Sequence, residues 1–225
     1  RKKELEDQFQ IPYRVGFNHG RLQLPLGVVE GQHLDQIFPR ILMPVNTVRD
    51  FDRLPIPFRA VATDLVSGEE VVLAGGSLPD ALRASMSVPG VFAPVTLDDR
   101  MLVDGGMSNN LPVTVVREMG AEIVIAVDIS SPLLTREELT SVLSVTEQLT
   151  NFLTRRNTEF QISQLGPDDV LIVPALGDFS AADFSGAKEI ASLGYAAAMS
   201  LEERILPLAG GAPGSRAPID TASDP

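Results

Sequence analysis

The sequence contains no cysteine, no tryptophan and only two histidines, His19 and His33. The absence of cysteine excludes disulfide bonds, and together with the shortage of imidazoles it excludes a zinc site of the ordinary kind. No run of about 18 apolar residues is present, so no segment is predicted to span a membrane. The sequence therefore predicts neither a metal nor another cofactor.

Basic residues are also scarce, because 18 Lys and Arg stand against 30 Asp and Glu and give a formal net charge of −12. A chain this acidic is not expected to bind nucleic acid, which requires a basic surface that neutralises phosphates. It is not attracted to anionic lipid either, so docking on a membrane would depend on exposed apolar side chains. Hydrophobic residues make up 44% of the 225 residues, which is enough for a globular core.

Several motifs that carry chemistry are missing from the chain. Neither a Gly-x-Gly-x-x-Gly motif nor a P-loop occurs, which argues against nucleotide binding. The Gly-x-Ser-x-Gly motif, which presents a nucleophilic serine at a strand-to-helix turn, is absent as well. The nearest serine–glycine runs are Gly75-Gly76-Ser77 and Ser185-Gly186, and neither has glycines at both required positions.

The most informative segment that is present is Leu102-Val103-Asp104-Gly105-Gly106. An apolar stretch ends in a carboxylate, and two glycines follow at once. The glycines allow positive φ and the close approach of another backbone or a substrate. Because Asp is rarely buried without a partner, Asp104 is predicted either to cap the following turn or to act as a catalytic or ligand-binding group at the edge of a sheet.

The other polar candidates are interpreted as structural residues. They are Asp64 and Asp128 at strand ends, Asn109 and Asn110 in a loop, Ser85 and Ser87 near a helix end, and the two histidines. Both aspartates nevertheless suit a cleft at the carboxyl ends of strands, where ligands sit in open α/β sheets. An apolar group consisting of Leu165, Leu171, Leu176, Phe179 and Phe184 suits an acyl channel, although packing in the core is the default interpretation.

Periodicity and turn residues predict alternating strands and helices. The expected strands cover residues 58–65, 70–73, 91–95, 101–103, 122–129 and 170–173, and a hairpin is expected over 13–24. The expected helices cover residues 32–42, 78–87, 112–119, 139–160 and 187–206. The β-branched run over 122–129 is typical of a central parallel strand, and the amphipathic helix at 139–160 suits a homodimer interface as well as it suits a core.

Four segments in order and in register resemble the patatin-like phospholipase family. They are Ile56-Pro57-Phe58 through Thr63-Asp64 to Glu69, Pro79 through Ser87-Val88-Pro89-Gly90 to Val95, Leu102 to Pro112, and Met119 to Ser130. The resemblance implies an α/β lipid acyl hydrolase with a Ser–Asp dyad. The acid of the dyad corresponds to Asp104, and Gly105 and Gly106 correspond to the glycines that follow it in the family's motif.

The resemblance also implies the architecture, a three-layer Rossmann-like sheet that is mostly parallel and flanked by helices. Because the serine elbow and the glycine-rich oxyanion loop are absent, we expect residues 1–206 to be the C-terminal part of such a domain. The first strands, the nucleophile and the oxyanion loop are then expected in an N-terminal part outside this chain. Residues 207–225 are rich in Pro, Gly and Ala, which predicts a flexible linker or tail.

Two functions remain open at this point. The first is a phospholipase A or esterase that acts on phospholipid or another fatty acyl ester, with Asp104 as the general base. In that case residues 1–225 alone are predicted to be inactive. The second is a non-catalytic module of the same fold that binds lipid or a protein partner. A secreted or cell-surface location is expected, with a cytoplasmic location as the alternative.

Overall fold

The computed structural model of the chain describes residues 16–18, 21–23, 27–29, 32–177, 179 and 186–209. By its contacts the chain divides into two compact units. The first unit contains residues 1–108 and 140–147, and the second contains residues 109–139 and 148–225. The predicted boundary between a hydrolase domain at 1–206 and a tail at 207–225 stays a prediction, because the residues beyond 209 lie outside the described part of the chain.

The described part contains short strands and longer helices. The strands are β1 (Gly16–Asn18), β2 (Arg21–Gln23), β3 (Gly27–Val29), β4 (Ala60–Asp64), β5 (Glu70–Leu73), β6 (Gly90–Phe92), β7 (Val95–Leu97), β8 (Arg100–Asp104), β9 (Ile125–Val127) and β10 (Val170–Ile172). The helices are α1 (Gln32–Ile41), α2 (Leu78–Ser85), α3 (Gly106–Asn109), α4 (Val113–Glu118), α5 (Val142–Ile162), α6 (Ala187–Met199) and α7 (Glu202–Ala209). Two turns of 3-10 helix cover Met43–Val45 and Phe51–Arg53. The chain is therefore an α/β protein, as predicted.

The largest sheet of the first unit has the strand order β5-β4-β8-β7 and is antiparallel throughout. This differs from the mostly parallel sheet that the resemblance implies. The physical reason is that both outer strands are joined to their neighbours by tight hairpins, which force antiparallel pairing. The parallel pairs among the described strands are β3 with β6 and β9 with β10.

Two hairpin turns set the register of this sheet. The predicted turn after β4 is present, and Gly68 adopts φ +76° there. Between β7 and β8, Asp98 and Asp99 adopt φ values of +48° and +61°, as the two central residues of a type I′ hairpin turn must. Because Leu97 pairs with Arg100 across this turn, the position of Asp104 at the far end of β8 follows directly.

Apolar side chains of the first unit pack against the largest sheet in two clusters. One cluster is built on Phe51, which is fully buried, and another on Ala62, Ala84 and Leu102. Helix α2 packs in both clusters through Ala81 and Ala84. Its first turn is capped by the Ser77 hydroxyl, which accepts from the Asp80 N–H at 3.5 Å. The serine of the Gly75-Gly76-Ser77 run is therefore a helix cap and not a nucleophile.

The second unit is built on the parallel pair of β9 and β10. The expected strand at 122–129 is shorter than predicted, and only Ala126 of β9 is buried, while Ile125 and Val127 are 46% and 47% exposed. Here β9 is a half-covered strand, which corrects the prediction of a fully buried central one. A core of Leu111, Val113, Val124 and Ala126 lies on its covered face, with Leu165 and Leu171 packed against it. Those two leucines are core residues, as the default interpretation held.

The helices agree with the predictions within a few residues, with one exception. The region expected to be one helix over 187–206 forms two helices, α6 and α7, separated by Ser200 and Leu201. A helix at 32–42 is confirmed as α1, and the hairpin within 13–24 is confirmed by the antiparallel pairing of β1 with β2. Within the described residues no helix is long and apolar enough to cross a membrane.

A buried carboxylate fastens the second unit together. Asp169 is 5% exposed and accepts hydrogen bonds from the Val124 N–H at 2.7 Å, the Gly166 N–H at 2.6 Å and the Arg117 guanidinium. Burial alone would raise the pKa of Asp169, but these donors outweigh burial and lower its pKa. The carboxylate thereby joins β9, helix α4 and the turn before β10.

The variant Asp169→Asn is expected to lower the free energy of unfolding by about 2 kcal/mol, because it removes the charge that three donors surround. Urea denaturation measures the loss, and Asp168→Asn, at the exposed neighbouring position, is the matched control. The pKa of Asp169 is depressed, so its contribution is present above the unfolded carboxyl pKa and disappears as the pH falls through the folded value. A difference between wild type and variant that stayed constant into strong acid would contradict this assignment.

Candidate active site

The strand β8 delivers Asp104 from the middle of the largest sheet. It is hydrogen-bonded to β4 on one side and to β7 on the other. Leu102 and Val103, the two residues before the aspartate, are 1% and 0% exposed. Because β8 is hydrogen-bonded to a strand on each side and its last apolar side chains are buried, the end of the strand is a rigid support for the carboxyl group of Asp104.

The carboxyl group of Asp104 lies in a partly buried environment. Its Oδ1 accepts a hydrogen bond from the Gly106 N–H at 2.7 Å. Burial raises the pKa of Asp104, and the bond from Gly106 opposes that rise without cancelling it. A carboxylate with a raised pKa is a stronger base than an ordinary surface carboxylate, which is the property that proton abstraction requires.

The main chain of Asp104 is held on both sides. Its N–H donates to the Ser87 carbonyl at 2.9 Å, and its own carbonyl accepts from the Thr63 hydroxyl at 2.9 Å. The next N–H, that of Gly105, donates to the Ser85 carbonyl at 3.4 Å. These bonds tie the end of β8 to β4 and to the segment that follows helix α2.

Gly105 is required by a close backbone approach. A Cβ atom at this position would lie 2.2 Å from the Val61 carbonyl oxygen and 2.6 Å from its carbon, far inside any real contact. The glycines with positive φ among the described residues are Gly68, Gly76, Gly120 and Gly177, so neither Gly105 nor Gly106 serves that purpose. The sequence predicted either positive φ or a close backbone approach for these glycines, and Gly105 shows the close approach. Gly106 donates its N–H to the Asp104 carboxylate.

Asp64 and Asp128 form the same local turn as Asp104. The Asp64 Oδ1 accepts from the Val66 N–H at 2.9 Å, and the Asp128 Oδ1 accepts from the Ser130 N–H at 2.9 Å. Asp64 ends β4, which runs antiparallel to β8, and it pairs with Leu102, two residues before Asp104. The bond from the Val66 N–H makes Asp64 a turn-forming residue, in keeping with its structural interpretation.

The asparagines that follow the glycines belong to the second unit. Asn110 receives its contacts there: its N–H donates to the Asn157 side-chain oxygen at 2.9 Å, and its Nδ2 donates to the Ser130 hydroxyl at 3.1 Å. Asn109 is buried. Asn110 thus bonds side chains of the second unit, which is in keeping with a structural role.

The two serines near the end of α2 make structural contacts. Ser87 is fully buried, and its hydroxyl donates to the Arg83 carbonyl at 2.7 Å while accepting from the Arg83 guanidinium at 2.7 Å. The same guanidinium lies 5.0 Å from the centre of the Phe92 ring. The contribution of Ser85 is its carbonyl, which accepts from Gly105.

Some predicted candidates fall outside the described residues. These are His19, Phe184, Ser185 and the side chain of His33, whose backbone lies in helix α1 as predicted. Within the described residues, no group of three or more His, Cys, Asp or Glu side chains that could hold a metal is found.

Comparison with known proteins identifies the class. A family model described as Patatin-like phospholipase matches residues 2–117, just over half of the chain, and the matched region includes Asp104, Gly105 and Gly106. The chain belongs to the patatin-like phospholipase family.

Individual relatives match shorter stretches. An uncharacterized NTE family protein of Mycobacterium tuberculosis is 41% identical over 92 residues, which are 38% of this chain and 26% of that protein. Patatin-like phospholipase domain-containing protein 7 of Mus musculus is 42% identical over 85 residues, 37% of this chain and 6% of that protein. The chain therefore spans about a quarter of the length of the first relative and much less of the second.

One residue of the site was missed in the sequence. This residue is Thr63, which is 3% exposed and bonds the main chain of Asp104. The available signal was a hydroxyl in the middle of an apolar strand, since a buried polar group needs a partner. The sequence did not indicate which strand would supply the hydrogen-bond partner of Thr63.

The variant Gly105→Ala is expected to lower the free energy of unfolding by about 3 kcal/mol, at the upper end of the usual range for overpacking, because the added Cβ would collide with a backbone carbonyl. Thermal unfolding followed by circular dichroism measures the loss. The control is Gly194→Ala within helix α6, where an added Cβ meets nothing within 4 Å and a gain of up to about 1 kcal/mol is expected. Equal stability of Gly105→Ala and wild type would overturn the close-approach assignment.

Proposed function

We propose that this chain is part of a lipid acyl hydrolase of the phospholipase A or esterase type, in which Asp104 is the general base of a Ser–Asp dyad. The observation that carries the proposal is a partly buried carboxylate with a raised pKa, fixed at a strand end inside the region that the family model matches. The names of the family and of the mouse relative support a phospholipase activity. The serine and the oxyanion donors are proposed to lie outside this chain, because no Gly-x-Ser-x-Gly motif occurs within it.

In the proposed reaction, Asp104 accepts the proton of the serine hydroxyl while the serine oxygen attacks the carbonyl carbon of the ester. The tetrahedral intermediate collapses, the alcohol leaves with the proton returned by Asp104, and an acyl-enzyme remains. Asp104 then takes a proton from water, which attacks the carbonyl carbon of the acyl-enzyme. The second tetrahedral intermediate collapses with release of the fatty acid, and Asp104 returns the proton to the leaving serine oxygen. The raised pKa of Asp104 reduces the difference between its pKa and that of the hydroxyl that gives up the proton. Each proton transfer to Asp104 is therefore less unfavourable.

The finer architecture and the partners belong to the same proposal. The parallel pairs β3–β6 and β9–β10 support a three-layer, mostly parallel sheet whose other strands lie outside the chain, in an N-terminal part of the same domain. Exposed apolar residues on helix α5, namely Leu149, Phe152 and Leu153, support apolar docking on a membrane surface or a homodimer interface. A secreted or cell-surface location remains a proposal, with a cytoplasmic one as its alternative.

A non-catalytic lipid-binding or interaction module is the second candidate. The observation that favours it is the bond between Gly106 and Asp104, because the same turn occurs at Asp64 and Asp128, which are interpreted as structural residues. In that case Asp104 is a turn residue, and its substitution would leave any activity of the full-length protein unchanged.

The full-length protein that contains this chain is expected to lose activity by about 10²- to 10⁴-fold in Asp104→Asn, the range for removal of a general base. Asparagine keeps the shape and the acceptor for Gly106 but cannot accept the proton. Hydrolysis of a fluorogenic medium-chain ester and of a phospholipid measures the effect. Residues 1–225 alone are expected to be inactive with both substrates.

The matched control for this experiment is Asp64→Asn, which alters the same kind of turn at the end of the adjacent strand β4. It should keep the activity of the wild type. Burial of a charge at Asp104 costs stability, so Asp104→Asn should melt no lower than the wild type. Equal activity of Asp104→Asn and wild type would favour the non-catalytic module.

The proposal also fixes a pH dependence. Asp104 acts as a base in its ionised form, so kcat/KM should fall as the pH falls through its pKa. Because burial raises that pKa, the midpoint of the fall should lie above the value of an ordinary aspartate. The pH profile of kcat/KM for a soluble ester measures the midpoint in the full-length protein and in Asp64→Asn. An acid limb centred at or below the ordinary value would contradict the assigned environment.

A further inference from the structure

Two hydroxyl groups, those of Ser108 and Thr63, are hydrogen-bonded in series to the backbone carbonyl of Asp104. Thr63, on β4, donates its hydroxyl proton to the Asp104 carbonyl at 2.9 Å. The Thr63 oxygen also lies 2.8 Å from the hydroxyl oxygen of Ser108, on helix α3. Thr63 is 3% exposed, so water does not substitute for these bonds at its side chain.

The number of available protons decides which group donates in each of these hydrogen bonds. A carbonyl oxygen can only accept, so the single hydroxyl proton of Thr63 is used on Asp104. Ser108 must then donate in its bond with Thr63. The alternative acceptor for the Ser108 proton, the Gly105 carbonyl, is farther away at 3.3 Å. The bonds therefore run in one direction from Ser108 to Thr63 to Asp104, and each strengthens the next by polarisation.

These bonds complete the fixation of the Asp104 backbone. The Ser87 carbonyl holds its N–H, and Thr63 holds its carbonyl. The carbonyl of Asp104 also lies in the backbone segment between the Asp104 side chain and the Gly106 N–H that donates to its carboxylate. A shift of this carbonyl would therefore move the carboxylate, and a displacement of about 1 Å in a catalytic group can cost about 10²-fold in rate.

We propose that Thr63 is a positioning residue for the general base, with Ser108 as the donor that orients its hydroxyl. This inference rests on the proposed function of Asp104. Thr63 touches neither substrate nor the transferred proton. Its effect is on where the carboxylate of Asp104 stands when the proton is transferred.

The test uses the full-length protein with three variants. Thr63→Val keeps the shape and removes the hydroxyl, and it should lower kcat by about 10- to 100-fold with KM unchanged. Thr63→Ser keeps the hydroxyl and should restore most of the rate. Ser108→Ala leaves the bond from Thr63 to Asp104 in place, so its loss should be smaller than that of Thr63→Val. The control is Thr96→Val, at an exposed position on β7 of the same sheet.

A readout beside activity separates positioning from packing. Amide hydrogen exchange at Asp104 and Gly105 should be faster in Thr63→Val than in wild type, while exchange in helix α6 should be unchanged. The acid limb of the pH profile should move as well, because the surroundings of the carboxylate change. If Thr63→Val proves unstable, the rates of Thr63→Ser and Ser108→Ala still test the role of the hydroxyl groups. Thr63→Ser should keep most of the rate, and Ser108→Ala should lose more of it.

The failures of the two proposals are distinguishable. An active wild type with an equally active Asp104→Asn removes the proposed function itself. An inactive Asp104→Asn together with a fully active Thr63→Val overturns the positioning role alone. A low rate in Thr63→Val that Thr63→Ser does not restore, with unchanged amide exchange at Asp104, also overturns it and assigns Thr63 to packing.

Discussion

The antiparallel pairing of β4 with β8 is the constraint on which the site depends. It brings the Val61 carbonyl over Gly105 and the Thr63 hydroxyl to the Asp104 carbonyl. The register, with Ala62 opposite Asp104, decides both contacts at once. A register slip of one residue would turn each side chain of β8 to the other face of the sheet. Glycine at position 105 and the hydroxyl at position 63 are therefore consequences of one pairing, although they lie far apart in the sequence.

A buried carboxylate, Asp169, and a partly buried one, Asp104, show how the surroundings of a carboxylate determine its role. Asp169 is surrounded by donors from Val124, Gly166 and Arg117, which outweigh burial and lower its pKa. At Asp104, burial prevails over the bond from the Gly106 N–H and raises the pKa. The first arrangement stabilises the ionised form and with it the fold. The second disfavours the ionised form, which weakens the fold at neutral pH and leaves the carboxylate ready to accept a proton.

The sequence allowed the local features of the site to be predicted, because they depend on near neighbours. The strand that ends at Asp104, the turn made by Gly106 and the two hairpins of the sheet are of this kind. The antiparallel order of the sheet, the contact of Gly105 with Val61 and the role of Thr63 were not predicted. Each depends on which strand pairs with β8, and that partner lies about forty residues earlier in the chain. Local patterns carry no information about the partner or its register.

Local geometry also fails to single out Asp104 as functional. Asp64, Asp104 and Asp128 each end a strand, and each accepts the N–H of the second residue after it. What separates Asp104 is its long-range surroundings: a following glycine in close contact with another backbone, and main-chain bonds to Ser87 and Thr63. A turn needs none of these, because the bond from the second following N–H also forms at Asp64 and Asp128. Such fixation is what proton transfer requires, since a base must stand within hydrogen-bond reach of its partner throughout the reaction.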